Sequence, residues 1–191
     1  MLPRRLFLLS SGVLVMAQSA CTTTAPVDTP ADRDARRRKI DRDAEDALAR
    51  LYAQVHGARE LASKARGILV FPRVVSAGFM VGASYGEGKL IASHPPVTYY
   101  RVASASVGLL AGAQSRALYL FFMTEDSLDR FTSSSGWTAG GDASVAAATV
   151  GANGELDMRT TQAPIVGFVL TNLGLMANLS LSGTRFIRSD L

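Results

Sequence analysis

Residues 65–90 read ARGILVFPRVVSAGFMVGASYGEGKL, and the architecture of the chain follows from this segment. It opens with a short apolar run, Ile68 to Phe71, that is stopped by Pro72. Glycines then recur among apolar residues, at Gly78, Gly82, Gly86 and Gly88. Because glycine inside a strand allows close backbone approach and bending, the segment predicts tightly packed, bent strands.

A β pattern continues from this segment to the C-terminus. The later segments expected to form strands are 103–109, 117–123, 143–150, 156–163, 165–171 and 173–181. Asn153-Gly154 is the clearest hairpin turn. Thr124 is expected to cap a short helix over 126–131.

A long helix is predicted before the strands, over residues 32–66. Apolar residues recur there at helical spacing, at Ile40, Ala44, Ala47, Leu51 and Val55. Gly67 is expected to end the helix in a left-handed cap. The prediction is a single α+β domain, residues 32–191, in which this helix precedes a β-rich body (67–191). The sheet is expected to be mostly antiparallel, strongly curved and nearly closed.

The N-terminal residues look like an export signal. Two arginines precede an apolar run, residues 6–17, that is too short to span a bilayer as a mature helix, so residues 1–20 are interpreted as a signal peptide. Small residues lead to Cys21, where a bacterial lipoprotein would be acylated. Residues 21–31 then form the lipidated cysteine and a flexible tether rich in threonine and proline. Thr22 favours the outer membrane, with the domain in the periplasm. A chance lone cysteine is the alternative.

Charge and cysteine content exclude several classes of function. The net charge is +4, but residues 67–191 contain 8 Lys/Arg and 8 Asp/Glu, so the body is neutral and nucleic-acid binding is not expected. With one cysteine in the chain, no internal disulfide forms. His56 and His94 are the only histidines, so a zinc site of usual spacing is not expected either.

Several blocks of the chain resemble the SYLF (Ysc84-like) family of lipid-binding domains. Residues 65–90 do so, and 106–115, 120–131 and 171–183 follow in the family's order, so that the resemblance covers roughly residues 60–188. Many members place glycine soon after the glutamine that is Gln114 here, whereas this chain continues with Ser115-Arg116.

The resemblance implies a non-catalytic domain that binds membranes or phospholipid, without a cofactor. We therefore expect a lipid-anchored envelope protein that binds anionic phospholipid. The alternative is an interaction module that binds an envelope protein through its long helix, with the lipid serving only as the anchor. Candidate lipid contacts are the basic residues near the first strand and in the densest basic cluster, Lys64, Arg66, Arg73, Arg37, Arg38 and Lys39. For that cluster, a solvated helix face is the alternative, because aspartates are interleaved with it.

One segment matches a catalytic motif. Residues 82–86, Gly-Ala-Ser-Tyr-Gly, spell the G-x-S-x-G nucleophile elbow of esterases. An elbow requires a helix after the serine and, later in the chain, an acid and a histidine; residues 87–90 are not a helix start, and only His94 lies downstream. Glycine-rich strand packing is the preferred interpretation, and no catalytic residue is assigned. Trp137 and Phe121-Phe122 are expected in the core, with a lipid groove as the alternative.

Overall fold

The structure is a computed structural model that describes residues 29–79, 81–93, 96–107, 112–148, 156, 162–171, 174–175 and 181–191. Its helices are α1 (Pro30–Gln54), α2 (Ala58–Lys64) and α3 (Glu125–Ser133). Its strands are β1 (Gly67–Phe79), β2 (Val81–Ala92), β3 (Thr98–Val107), β4 (Gly112–Phe122), β5 (Gly136–Thr138), β6 (Ala146–Ala147), β7 (Ile165–Thr171), β8 (Gly174–Leu175) and β9 (Arg185–Ser189).

All the strands belong to one strongly curled sheet. Their order is β5-β9-β3-β2-β1-β4-β7-β6, and β8 pairs with β7. Every pairing is antiparallel except that of β6 with β7. The predicted α+β class and the curved, mostly antiparallel sheet are confirmed. In the described part of the chain the two end strands, β5 and β6, are not paired with each other.

Each face of the sheet carries its own hydrophobic core. Along β4, Leu118 and Leu120 point to the face that packs against α3, which we call the inner face. Tyr119 and Phe121 alternate with them and pack against α1 and α2 on the outer face. A strand covered on both sides needs apolar residues at every position, which explains the continuous apolar run of β4. The buried Tyr119 hydroxyl donates a hydrogen bond to the Ala47 carbonyl of α1 (2.8 Å), and burial raises its pKa to about 12.

Aromatic rings fill the inner core around α3. The Phe131 ring centroid lies 4.9 Å from those of Tyr100 and Phe122 and 5.5 Å from that of Trp137. Trp137 and Phe122 are buried there, and Phe121 is buried on the outer face. These aromatic residues are core residues, as expected, and do not line a groove.

The predicted N-terminal helix is present, but it is divided in two. It begins at Pro30, where the Thr29 and Asp32 side chains form a capping box. α1 then ends at Gln54, and Gly57, with φ +86°, is the N-cap of α2. The expected left-handed cap at Gly67 is wrong, because Gly67 is the first residue of β1. A Cβ atom there would lie 2.9 Å from Leu128 Cδ1, so the absence of a side chain at Gly67 lets Leu128 of α3 pack against β1.

The strand predictions fare differently along the chain. Strand 165–171 is confirmed, and 103–109 and 117–123 fall largely within β3 and β4. Of segment 143–150 the structure describes residues 143–148, and the strand found there is β6. The Asn153-Gly154 turn lies outside the described residues, as do most of 156–163 and 173–181. The short helix is confirmed and extends over all of α3, with the Ser127 N–H donating to Thr124 Oγ1 (3.2 Å). Among the helices that the structure describes, none is both long and apolar enough to cross a membrane.

Candidate functional site

A β-bulge in β1 organises the outer face. Val70 pairs with Lys89 and Arg73 with Glu87, so two residues of β1, 71 and 72, oppose one residue of β2. The pairing with β4 shifts at the same place. Pro72 has no N–H to contribute to a ladder, which suits it to a bulge. The bulge leaves Arg73 exposed in the middle of the sheet.

Two glycines allow β2 to approach this bulge. A Cβ atom on Gly88 would lie 2.1 Å from the Val70 carbonyl oxygen and 2.6 Å from Phe71 Cδ1. On Gly86 it would lie 2.7 Å from the Arg73 carbonyl oxygen. The Gly-Glu-Gly sequence therefore serves close backbone packing, as the sequence predicts.

Among the described residues, the outer face of the sheet beyond α1 carries exposed side chains. Val75 and Tyr85 are directly paired across β1 and β2, and they are 45% and 52% exposed. The Tyr85 hydroxyl donates to Glu87 (3.1 Å). Partial burial, and then the Glu87 charge, raise the Tyr85 pKa. The next row on this face consists of four exposed alanines on adjacent strands, Ala105, Ala83, Ala77 and Ala113. This part of the sheet is a surface of small residues next to one tyrosine and one valine.

A groove separates α1 from this uncovered surface. Three cavities, of about 480, 590 and 500 Å³, follow one another along the helix and share Pro72 and Arg73. We call them together the outer groove. Val75, Tyr85 and Ile40 line its first part. The cationic residues that line it from the outer face are Arg36, Lys39, Arg50 and Arg73. Arg116 also borders it, but its side chain lies on the inner face with Ser76 and Ser84.

The cations of the groove differ in their partners. Arg36 Nε lies 4.0 Å from Glu87 Oε2, and Lys39 forms an ion pair with Asp43. Arg73 and Arg50, in contrast, form no ion pair with any residue that the structure describes. The positive charge available to a ligand is therefore concentrated near the bulge.

The structure does not bring together the three cations predicted near the first strand. Lys64 Nζ lies 2.7 Å from Glu60 Oε1, and Arg66 Nη1 lies 3.5 Å from Glu125 Oε1. Both residues precede β1, whereas Arg73 follows about 20 Å further along that strand. Arg73 alone faces the outer groove.

The basic cluster in α1 is also divided. The Arg37 guanidinium lies 5.9 Å from the centroid of the Tyr99 ring and 3.7 Å from Asp34, and it donates to the Leu191 carbonyl. Arg38 is exposed to solvent, and Lys39 lines the groove. Of this cluster, only Lys39 and the neighbouring Arg36 contribute to the site.

Two polar interactions next to this site, one on each face of the sheet, were missed by sequence reasoning. The nearly buried Lys89 ammonium lies 3.0 Å from Asp41 Oδ1 and ties β2 to α1. Arg116 donates from Nη1 to Ser76 Oγ (3.0 Å) and from Nη2 to Ser84 Oγ (3.4 Å), and burial lowers its pKa. The available signal was the symmetry of the first hairpin about residue 80, which pairs Ser76 with Ser84.

The catalytic and metal alternatives find no matching geometry in the described residues. Ser84 lies inside β2, and not at the strand-to-helix turn that a nucleophile elbow requires. His56 is exposed between α1 and α2, and His94 lies outside the described residues. No group of three potential metal ligands occurs in the part of the chain that the structure describes.

Comparison with known families gives one match. Residues 103–190 match the profile of the Ysc84 family, described as "Las17-binding protein actin regulator". The matched region runs from β3 to β9, so it includes β4 and α3. No curated protein matches the chain. Residues 103–190 therefore match the Ysc84, or SYLF, family that several blocks of the sequence resemble.

Proposed function

We propose that this domain binds anionic phospholipid at a membrane surface through the uncovered outer face and the adjacent groove. The observation that carries the proposal is the pairing of two exposed apolar side chains, Val75 and Tyr85, next to Arg73, which forms no ion pair with a described residue. A phospholipid presents acyl chains and an anionic head group side by side, and this arrangement complements both.

Each contact in this arrangement contributes modestly. A cation near an anionic bilayer surface contributes about 1 kcal/mol. Tyrosine suits the interface because its ring is apolar and its hydroxyl remains hydrated. The short side chains of the alanine row let the sheet backbone lie close to the bilayer. Binding by several such contacts would be reversible, which fits a domain that is held near the membrane by a separate anchor.

The proposed anchor is an acyl group on Cys21, which would place the protein in the bacterial envelope, most simply on the periplasmic side of the outer membrane. We further propose that the domain is not an enzyme. The Ser84 hydroxyl is bonded to Ser76 and Arg116, and neither of these is a general base suited to activate it.

The charge of Arg73 is the first feature to test. We expect Arg73→Glu to weaken binding to anionic vesicles about tenfold, because the change replaces an attraction with a repulsion. Lys64→Glu is the matched control, since Lys64 lies away from the groove and is paired with Glu60. Vesicle sedimentation of protein lacking residues 1–21 measures both, and binding should fall as salt rises.

Equal losses in the two variants would place the membrane contact elsewhere. If neither variant nor salt changes sedimentation, or if no vesicle binding occurs, a protein partner becomes the better interpretation. The family description names a protein-binding activity, so that alternative has a concrete form.

The anchor has its own test. Mass spectrometry of protein extracted from bacterial membranes should show acyl groups on Cys21, and Cys21→Ser should release the protein from the membrane fraction. Each buried acyl methylene contributes about 0.8 kcal/mol to membrane binding, so the loss of the acyl chains should remove the protein from the membrane fraction. An unmodified Cys21 in the wild-type protein would contradict lipid anchoring.

A further inference from the structure

One strand in the middle of the sheet has an edge without a neighbour along part of its length. β4 pairs with β1 from Gly112 to Phe122, apart from the shift at the bulge, whereas β7 pairs with β4 only from Ala117 onwards. In the part of the chain that the structure describes, residues 112–116 therefore have a paired strand on one side only. We call this segment the open edge of β4.

The open edge offers backbone groups to a further strand. Successive residues of a strand direct their N–H and C=O groups alternately to its two sides, so β1 uses only some of those in residues 112–116. Solvent reaches this edge: Gln114 is exposed, although Ser76, which pairs with it across β1, is 2% exposed. An accessible edge of this kind is a template onto which another extended chain can pair.

A cavity of about 500 Å³ lies beside the open edge, at the point where β7 leaves β4. It is the third cavity of the outer groove, and its lining residues are Arg50, Gln54, Pro72, Arg73, Ser115, Arg116, Ala117, Leu170 and Thr171. Ala117 and Leu170 belong to the core of the outer face, so the cavity opens on the side of α1. The Arg116 guanidinium points the other way, because it donates to Ser76 and Ser84 on the inner face.

Two cations face this cavity from the outer side. Arg50 of α1 and Arg73 of β1 line it, and neither forms an ion pair with a residue that the structure describes. No aspartate or glutamate is among the lining residues. A strand added at the open edge would place every second side chain on the outer side, toward these arginines. Carboxylates at those positions would complement their charge.

We propose that the open edge of β4 is a binding site for an extended acidic peptide segment of a partner protein. The segment would join the sheet as a strand in line with β7, with its backbone paired to residues 112–116 and its carboxylates bound to Arg50 and Arg73. In this mode of recognition the main-chain hydrogen bonds supply affinity, and the alternate side chains supply specificity. The ligand is a peptide and not a lipid, so the site goes beyond the proposed function.

The test uses the full chain with Cys21→Ser in a neutral detergent, and a fluorescent synthetic peptide in which glutamate alternates with threonine. Fluorescence anisotropy measures the dissociation constant. One control peptide has glutamine in place of glutamate, and the other keeps the charge but carries proline at its centre, where it cannot donate to a ladder. We expect the glutamate peptide to bind and both control peptides to bind at least about tenfold more weakly.

A substitution in the protein tests the charge of the site. Arg50→Gln should weaken binding of the glutamate peptide about tenfold, the effect of losing one charge-assisted contact. Arg50 is an exposed helix residue, so the variant should fold. Arg130→Gln is the matched control, because Arg130 lies exposed on α3 and is paired with Asp126.

Amide hydrogen exchange locates the bound peptide. Exchange should slow in residues 112–116, whereas residues 117–122, which already pair with β7, should change little. A peptide held only by the arginine side chains would not produce this pattern.

Absence of binding by the glutamate peptide, or equal binding by its proline version, would overturn the proposal. Equal affinities of the wild type and Arg50→Gln would do the same, and so would protection that omits residues 112–116. Vesicle binding without peptide binding would reject this site alone. Conversely, peptide binding without vesicle binding would reject only the proposed membrane function.

Discussion

Replacing Gly88 with alanine should lower the free energy of unfolding by about 3 kcal/mol, at the upper end of the usual cost of overpacking. The added methyl group would lie 2.1 Å from the Val70 carbonyl oxygen and 2.6 Å from the Phe71 ring. The first of these neighbours is backbone inside a three-stranded ladder, so it cannot move aside without breaking β pairing. Urea denaturation followed by circular dichroism measures the change.

Gly141→Ala is the matched control for this substitution. Its Cβ atom would meet nothing closer than 3.7 Å, and its φ is not positive, so alanine fits there without strain. Since alanine also lowers the entropy of the unfolded chain, the control should be neutral or stabilising by up to about 1 kcal/mol. Equal stability of the two variants would contradict the close approach of β2 to the bulge.

The sequence predicted the architecture well because its strongest signals are local. The apolar spacing of α1, the Thr124 cap and the apolar runs of β4 and β7 each act within a few residues, and each is found in the structure. The break between α1 and α2 was missed, because the apolar spacing continues through Val55 while Gly57 adopts a positive φ. Periodicity alone does not reveal such a break.

The site was much less predictable, because it depends on pairings between distant residues. Lys64, Arg66 and Arg73 are close in sequence, yet an extended strand carries Arg73 away from the other two. Arg50 comes together with Arg73 only through the packing of α1 against the sheet. The density of charge along the sequence therefore indicated that basic residues form the site, but it identified only some of those residues.

The second large effect that we expect is the loss of vesicle binding when the proposed membrane contact of Val75 is removed. Val75→Asp should weaken binding to anionic vesicles by at least about tenfold. It removes an apolar side chain from the bilayer surface and places a negative charge beside the lipid phosphates. Val75 is 45% exposed, so the substitution should cost at most about 1 kcal/mol of stability, the usual range for a strand position.

Val97→Asp provides the same chemical change at a different place. Val97 is 52% exposed and precedes β3, about 20 Å along that strand from the position paired with Tyr85. Both variants therefore replace an exposed valine with aspartate, and only their position in the fold differs. Any general effect of added negative charge should appear equally in both.

The direct measurement is the dissociation constant for anionic vesicles of these two variants and the wild type, in protein lacking residues 1–21. A loss of at least about tenfold for Val75→Asp, with Val97→Asp close to the wild type, is the result that the proposed outer-face contact requires. Equal affinities for all three proteins, or an equal loss in both variants, would contradict it.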